Sequence, residues 1–144
     1  VVTKKSFNYT GPASLKGKKI GVLKASTQEK YALGELKTVG VDVVSYEAQD
    51  QVYLDIRAGR LDGTVADHVE VTGGFLSKPE GKDFELKGDE LFIPKYFGAG
   101  AGIGLRKGQD ALKNELSAAI KTIRGNGVYK KINDKYFKFD VYGK

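Results

Sequence analysis

The chain contains no cysteine and no methionine, and its single histidine is His68. Without cysteine there is no disulfide framework, no thiolate zinc site and no cysteine nucleophile. Without a second histidine or any cysteine, His68 has no partner set for a metal site of that kind, so no metal and no cofactor is expected. No apolar run approaches the roughly 18 residues of a membrane span. A start at Val1-Val2-Thr3 with no methionine points to removal of something upstream, a signal peptide or a larger segment. What remains is ordinary for a globular protein: 144 residues, long enough for one domain with a core, and 19 glycines that imply many tight turns.

The net charge of +6 is unevenly distributed. Residues 1–104 balance 14 Lys/Arg against 14 Asp/Glu, whereas residues 105–144 hold 10 against 4. A basic tail can serve nucleic acid. Here the lysines alternate with apolar residues at helical spacing and there is no aromatic platform, which reads as a solvated helix face and no nucleic-acid partner.

The most informative stretch runs from Ile20 to Lys37. Ile20-Gly21-Val22-Leu23 is a short apolar run suited to a parallel strand buried on both faces. Ser26-Thr27-Gln28-Glu29 then has the spacing of a capping box, opening a helix to about Thr38 with Gly40 as its C-terminal cap. A strand, a polar turn and a capped helix leave backbone N–H groups at the strand's C-terminal end, where they and the helix dipole favour an anion. The candidate is a small carboxylate, centred on Ser26 and Thr27. A helix capped for stability alone gives the same pattern.

Elsewhere the pattern predicts strands at Val41–Tyr46 and Leu61–Asp67, with a helix over Gln49–Ala58 closed by Gly59. Alternating strands and helices imply a parallel sheet. Val1–Tyr9 reads as extended, His68–Leu76 as a helix, and residues 77–88 as a polar surface loop. Glu90–Phe97 reads as a fourth strand, interrupted by Pro94. Gly98-Ala99-Gly100-Ala101-Gly102-Ile103-Gly104 fails the G-x-G-x-x-G spacing and reads as a flexible strand crossing between two bodies. Asp110–Arg124 is an amphipathic helix with Leu112, Leu116, Ala119, Ile120 and Ile123 on one face, and Val128–Phe137 a second. Phe139–Tyr142 reads as an extended end.

In such a sheet the ends of the strands at Ile20 and Leu61 lie close, bringing the Ser26–Gln28 turn near Asp67. An anion-binding turn beside a strand-end carboxylate suits a zwitterion, the turn taking the carboxylate and Asp67 the ammonium. Taken alone, Asp67 is more often a plain cap for the helix that starts at His68; paired with the turn, the two readings stand even. His68 could pair with Asp67, yet no nucleophile recommends itself, and no pair of acidic residues has glycosidase-like spacing. The residues support binding better than catalysis.

Several segments resemble the periplasmic amino-acid-binding proteins of ABC importers, of the lysine/arginine/ornithine- or histidine-binding type. They are Leu15-Lys16-Gly17-Lys18-Lys19-Ile20-Gly21-Val22, Ser26-Thr27-Gln28-Glu29, Gly59-Arg60-Leu61-Asp62-Gly63, Tyr96-Phe97-Gly98 through Lys107, and Tyr136-Phe137-Lys138-Phe139-Asp140-Val141-Tyr142-Gly143. The resemblance implies an α/β fold: a lobe of the type II periplasmic-binding-protein kind with a mainly parallel central sheet, followed by two C-terminal helices. It covers the second lobe with both crossing strands at 1–104, and C-terminal helices at 105–144 that would pack on a first lobe not matched here. It assigns Ser26, Thr27 and Gln28 to the ligand's α-carboxylate and Asp67 to its α-ammonium. Lys24 stands beside them where relatives often carry glutamine, and Ala66 likewise replaces a polar residue. The implied role is uptake of a polar or basic amino acid in the periplasm, with a membrane permease as partner. With their apolar faces uncovered, residues 110–137 are expected either to self-associate or to be held loosely. A cyclohexadienyl-dehydratase-like enzyme on the same fold is the alternative, with His68 or Glu29 as its acid or base.

Overall fold

A computed structural model describes residues 1–98 and 100–142. Ala99 of the glycine-rich crossing segment and Gly143 of the closing motif lie outside the described residues. The chain divides into two compact units, Val1–Gly100 and Ala101–Lys144.

The first unit is built on one five-stranded sheet in the order β3-β2-β4-β1-β5. Its centre is β2 (Lys19–Leu23), which runs parallel to β3 (Asp42–Tyr46) and to β4 (Gly63–Thr64). Parallel neighbours need a crossover, and each is helical. From β2 to β3 the chain passes through α1 (Thr27–Tyr31), which continues without a break as a π turn at Ala32–Leu36 and a 3-10 turn at Lys37–Val39. It stops at Gly40, whose φ of 89° is the left-handed geometry glycine adopts without cost. The second crossover is α2 (Gln49–Arg57). β1 (Val2–Lys4) lies antiparallel to β4 and to β5 (Phe84–Leu86), so the parallel block is the part that carries the helical crossovers.

Alternate residues of β2 face opposite sides of the sheet. Ile20 and Val22 enter a cluster with Leu15, Tyr31, Ala32, Leu36, Val41 and Val65. Gly21 faces a second cluster, formed by Val2, Val52, Tyr53, Ile56, Leu61, Val71, Phe75 and Phe84. A Cβ on Gly21 would sit 2.5 Å from Leu61 Cδ1 and 2.8 Å from Val52 Cγ1, which is why the strand's apolar run is broken by glycine there. In the second cluster Tyr53 stacks on Phe75 with ring centroids 4.8 Å apart, and Phe84 packs on the same ring.

The structure corrects several sequence expectations. Residues 90–93 form no regular element, and Pro94–Phe97 is a single helical turn, α4, with Pro94 at its start. Proline cannot donate to a ladder, while its fixed φ suits the first helical position. The remaining strand is β5, inside the stretch expected to be a loop. It has one buried side chain, Phe84, so it carries no alternating signal; its partner β1 lies some 80 residues upstream. Val1–Tyr9 is strand only over Val2–Lys4, and Leu61–Asp67 only over Gly63–Thr64. Among the described residues of 98–105 there is no strand; Gly98 and Gly100 have φ of 63° and 110°, outside strand geometry.

The second unit contains α5 (Asp110–Gly125) and α6 (Val128–Tyr136). None of its described residues is buried, and Leu112, Val128, Ile132 and Tyr136 are exposed. Residues 139–142 are not the extended end expected: Asn133 donates to Phe139 O at 2.8 Å and accepts from Val141 N at 3.0 Å, curling the segment into a turn. The Arg124 guanidinium lies 3.4 Å from the Tyr142 ring centroid.

Candidate functional site

β2 and β4 are hydrogen-bonded neighbours, with Gly21 opposite Thr64. Lys24 follows Gly21 by three residues, as Asp67 follows Thr64. The loops that leave the two strands therefore start side by side at the carboxyl edge of the parallel block, where ligands bind in open α/β sheets.

The first loop is fixed by a compact network. Ser26 is the N-cap of α1: its hydroxyl donates to Leu23 O at 2.6 Å and accepts from Glu29 N at 3.0 Å. The Glu29 carboxylate reaches back and accepts from Ala25 N at 2.7 Å, one residue earlier than the N-cap amide that a capping box usually engages. Its other oxygen accepts a short hydrogen bond from the Ser45 hydroxyl on β3. These two donors, Ser45 first, hold the Glu29 carboxyl below the usual carboxylate range. Ala25 takes a φ of 60°, the only described residue other than glycine with positive φ. The first intrahelical bond is Lys30 N to Ser26 O at 3.3 Å, so the Thr27 and Gln28 amides precede it and have no carbonyl within the helix. Thr27 is exposed, and its hydroxyl donates to Gln28 Oε1 at 3.1 Å.

The second loop places Asp67 as the N-cap of α3 (His68–Val71), with Oδ1 accepting from Glu70 N at 3.0 Å. The residue is exposed. A carboxylate has about four lone-pair sites, so capping uses one and leaves acceptor capacity for a cation. α3 continues as a π turn at Thr72–Leu76, giving the helix expected over 68–76.

Lys24 Nζ pairs with Glu47 Oε1 at 2.5 Å, both side chains exposed. That hydrogen bond raises the Lys24 pKa and leaves its charge already answered by a carboxylate. His68 is half-buried, with Nδ1 2.8 Å from Glu90 Oε1. Among the described residues no group of three or more His, Cys, Asp or Glu is placed to hold a metal ion. No helix among them is long and apolar enough to cross a membrane.

Two concavities are formed elsewhere. One of about 550 Å³ lies in the second unit between α5, α6 and residues 137–140. The other, of about 330 Å³, lies between Val1, residues 9–12 and residues 87–91. Ser26, Thr27, Gln28 and Asp67 line neither; Thr27 and Asp67 are exposed, Ser26 and Gln28 half-buried. The residues that sequence reasoning missed are Ser45 and Glu47. Their one signal is polarity at the C-terminal end of a β-branched strand, where Ser45 pairs with Val22.

The family described as bacterial extracellular solute-binding proteins, family 3, matches residues 3–139. An L-arginine-binding protein of Pseudomonas aeruginosa is 49% identical over 143 residues, covering 99% of this chain and 55% of that protein. A lysine/arginine/ornithine-binding periplasmic protein of Escherichia coli is 49% identical over 130 residues, 90% of this chain and 50% of its own. An arginine-specific periplasmic binding protein of Salmonella typhimurium has a solved structure that superposes with a TM-score of 0.74 at 28% identity, over 95% of this chain and 58% of that one. The chain thus spans about half the length of the curated relatives it matches.

Proposed function

The chain belongs to family 3 of the bacterial extracellular solute-binding proteins, and from that membership we propose that it acts in the periplasm as a ligand-binding lobe of an amino-acid ABC importer. Its ligand is a polar or basic L-amino acid, gripped at both ends of its backbone. Thr27 and Gln28 offer amides, a hydroxyl and a side-chain amide to the α-carboxylate, in a turn closed by Ser26. Asp67 accepts from the α-ammonium, and Lys24 flanks the turn. The observation that supports this reading is the adjacency of the two loops at the ends of β2 and β4. Each charge-assisted bond of this kind contributes roughly 1.5–3 kcal/mol.

In this reading residues 1–104 are the lobe and residues 105–144 are helices that pack on an opposing lobe. The lobe alone binds weakly because it supplies one wall, and closure onto the ligand between two walls creates the surface a membrane permease recognises. Uncovered, the α5 and α6 faces associate with a second copy. The role is binding rather than turnover. Both oxygens of Glu29 already accept hydrogen bonds, and its carboxyl is held ionised, which suits it poorly to donating a proton.

Calorimetric titration with L-lysine, L-arginine, L-histidine and L-glutamine tests the reading in two variants. Asp67→Ala removes charge and cap together; Asp67→Ser removes the charge but keeps a capping oxygen. Affinity falls at least about tenfold in both, one charge-assisted bond's worth. Unchanged affinity in both would take Asp67 out of the site.

A further inference from the structure

We infer that Glu29 is a positioning residue for ligand carboxylate binding: it pins Ala25 in the left-handed conformation that presents Thr27 and Gln28. This rests on the reading of residues 26–28 as the carboxylate-holding turn. Three observations carry it. Alanine disfavours positive φ, yet Ala25 has φ 60°, so something outside its own preference holds it. The group in contact with its N–H is Glu29 Oε2 at 2.7 Å. The same carboxylate is tied to β3 through Ser45, so the loop is braced against a strand of the sheet and not only against its own helix.

A carboxylate at this place would otherwise oppose its ligand, since it puts a negative charge beside the position assigned to a ligand carboxylate. Helix capping does not require that charge, because Ser26 already satisfies Glu29 N. The ties to Ala25 and Ser45 account for it. Glutamine can keep both: its carbonyl accepts from Ala25 N and its amide donates to Ser45 Oγ. Alanine keeps neither.

The test is an NMR titration of the 144-residue chain with L-arginine and with agmatine, which is arginine without its carboxylate. The readout is the ratio of the two dissociation constants, alongside the amide shifts of residues 25–29. In the parent chain L-arginine binds about tenfold or more tighter than agmatine, one charge-assisted bond's worth. Equal affinities there would sink the carboxylate site itself, and with it the premise. Given that preference, Glu29→Ala brings the ratio down at least about fivefold, and Glu29→Gln stays within about twofold of the parent or exceeds it, having shed a like charge. A purely structural role lowers thermal stability in Glu29→Ala and leaves the ratio unmoved, which overturns the inference. If Glu29→Ala does not fold, Ser45→Ala decides: a fall of about two- to threefold supports the brace, and an unchanged ratio refutes it.

Discussion

Gly34→Ala should destabilise the protein, although it replaces glycine by alanine inside a helical segment. Propensity alone favours alanine by about 1 kcal/mol. The structure reverses the sign. A Cβ at Gly34 would lie 2.3 Å from Tyr96 Oη and 2.9 Å from Tyr96 Cζ, so the two groups must shift apart, and the end of the Tyr96 ring is what can move. That shift breaks the hydroxyl's hydrogen bond to Glu35 Oε1 at 2.7 Å, a neutral donor on a carboxylate, for about 1.5–3 kcal/mol. It also breaks the edge-to-face contact with Tyr31 at 5.7 Å, for about 0.5–1.5 kcal/mol. Glu35 is partly exposed, which favours the lower end of the first range. Net destabilisation is about 1–3 kcal/mol, a fall of roughly 3–10 °C in Tm for a chain of this size. With no tryptophan in the sequence, far-ultraviolet circular dichroism against temperature and urea is the suitable assay. The decisive comparison is a double-mutant cycle with Tyr96→Ala, where the ring is gone and Gly34→Ala should stabilise by about 0.5–1 kcal/mol. A higher Tm for Gly34→Ala in the parent background would refute the packing argument.

Two other tests address stability and exposure. Asp55 accepts from Arg60 and from the Tyr46 hydroxyl, and those bonds, Arg60 first, depress its pKa. A depressed carboxylate contributes stability above its unfolded value, near about 3.9, that disappears as pH falls through the folded value. Burial first, then Asp55, pushes Tyr46 up to about 12, so its contribution is complete below about 10 and lost as pH rises from there to about 12. Urea midpoints across pH should decline at both ends; Asp55→Asn should flatten the acid limb and Tyr46→Phe the alkaline one, and unaltered slopes would dismiss the triad. Hydrogen exchange should show residues 110–137 weakly protected at low concentration, since nothing in 101–142 is buried, with protection rising as the chain associates. A strictly monomeric species by light scattering with those amides fully protected contradicts this.

What could be read from the sequence was set by how local its cause is. β2 was legible because Ile20, Val22 and Leu23 are adjacent, and the cap because Ser26 and Glu29 stand three residues apart. The strand at Phe84–Leu86 was not, because its partner Val2–Lys4 is at the other end of the unit, and three residues with one buried side chain have no period. Glu90–Phe97 misled through Leu91, Phe92 and Ile93, an apolar run that Pro94 converts to a helix start. Strand order put Asp67 on the loop that leaves β4, the neighbour of β2. The brace from Ser45 to Glu29 joins residues 16 apart and depends on register between β2 and β3, which no local spacing encodes. At Gly34 propensity favours alanine, and the Tyr96 hydroxyl that fills the place of a side chain there belongs to a residue 61 positions beyond its hydrogen-bond partner Glu35.

Every buried side chain among the described residues lies between Val2 and Phe84. If α5 and α6 pack on an opposing lobe as proposed, variation at Leu112 or Ile132, both exposed here, is screened by that contact more than by whether the polypeptide reaches its native state. Sequence drift in the two halves of the chain should accordingly obey different clocks: the first set by packing, the second by company.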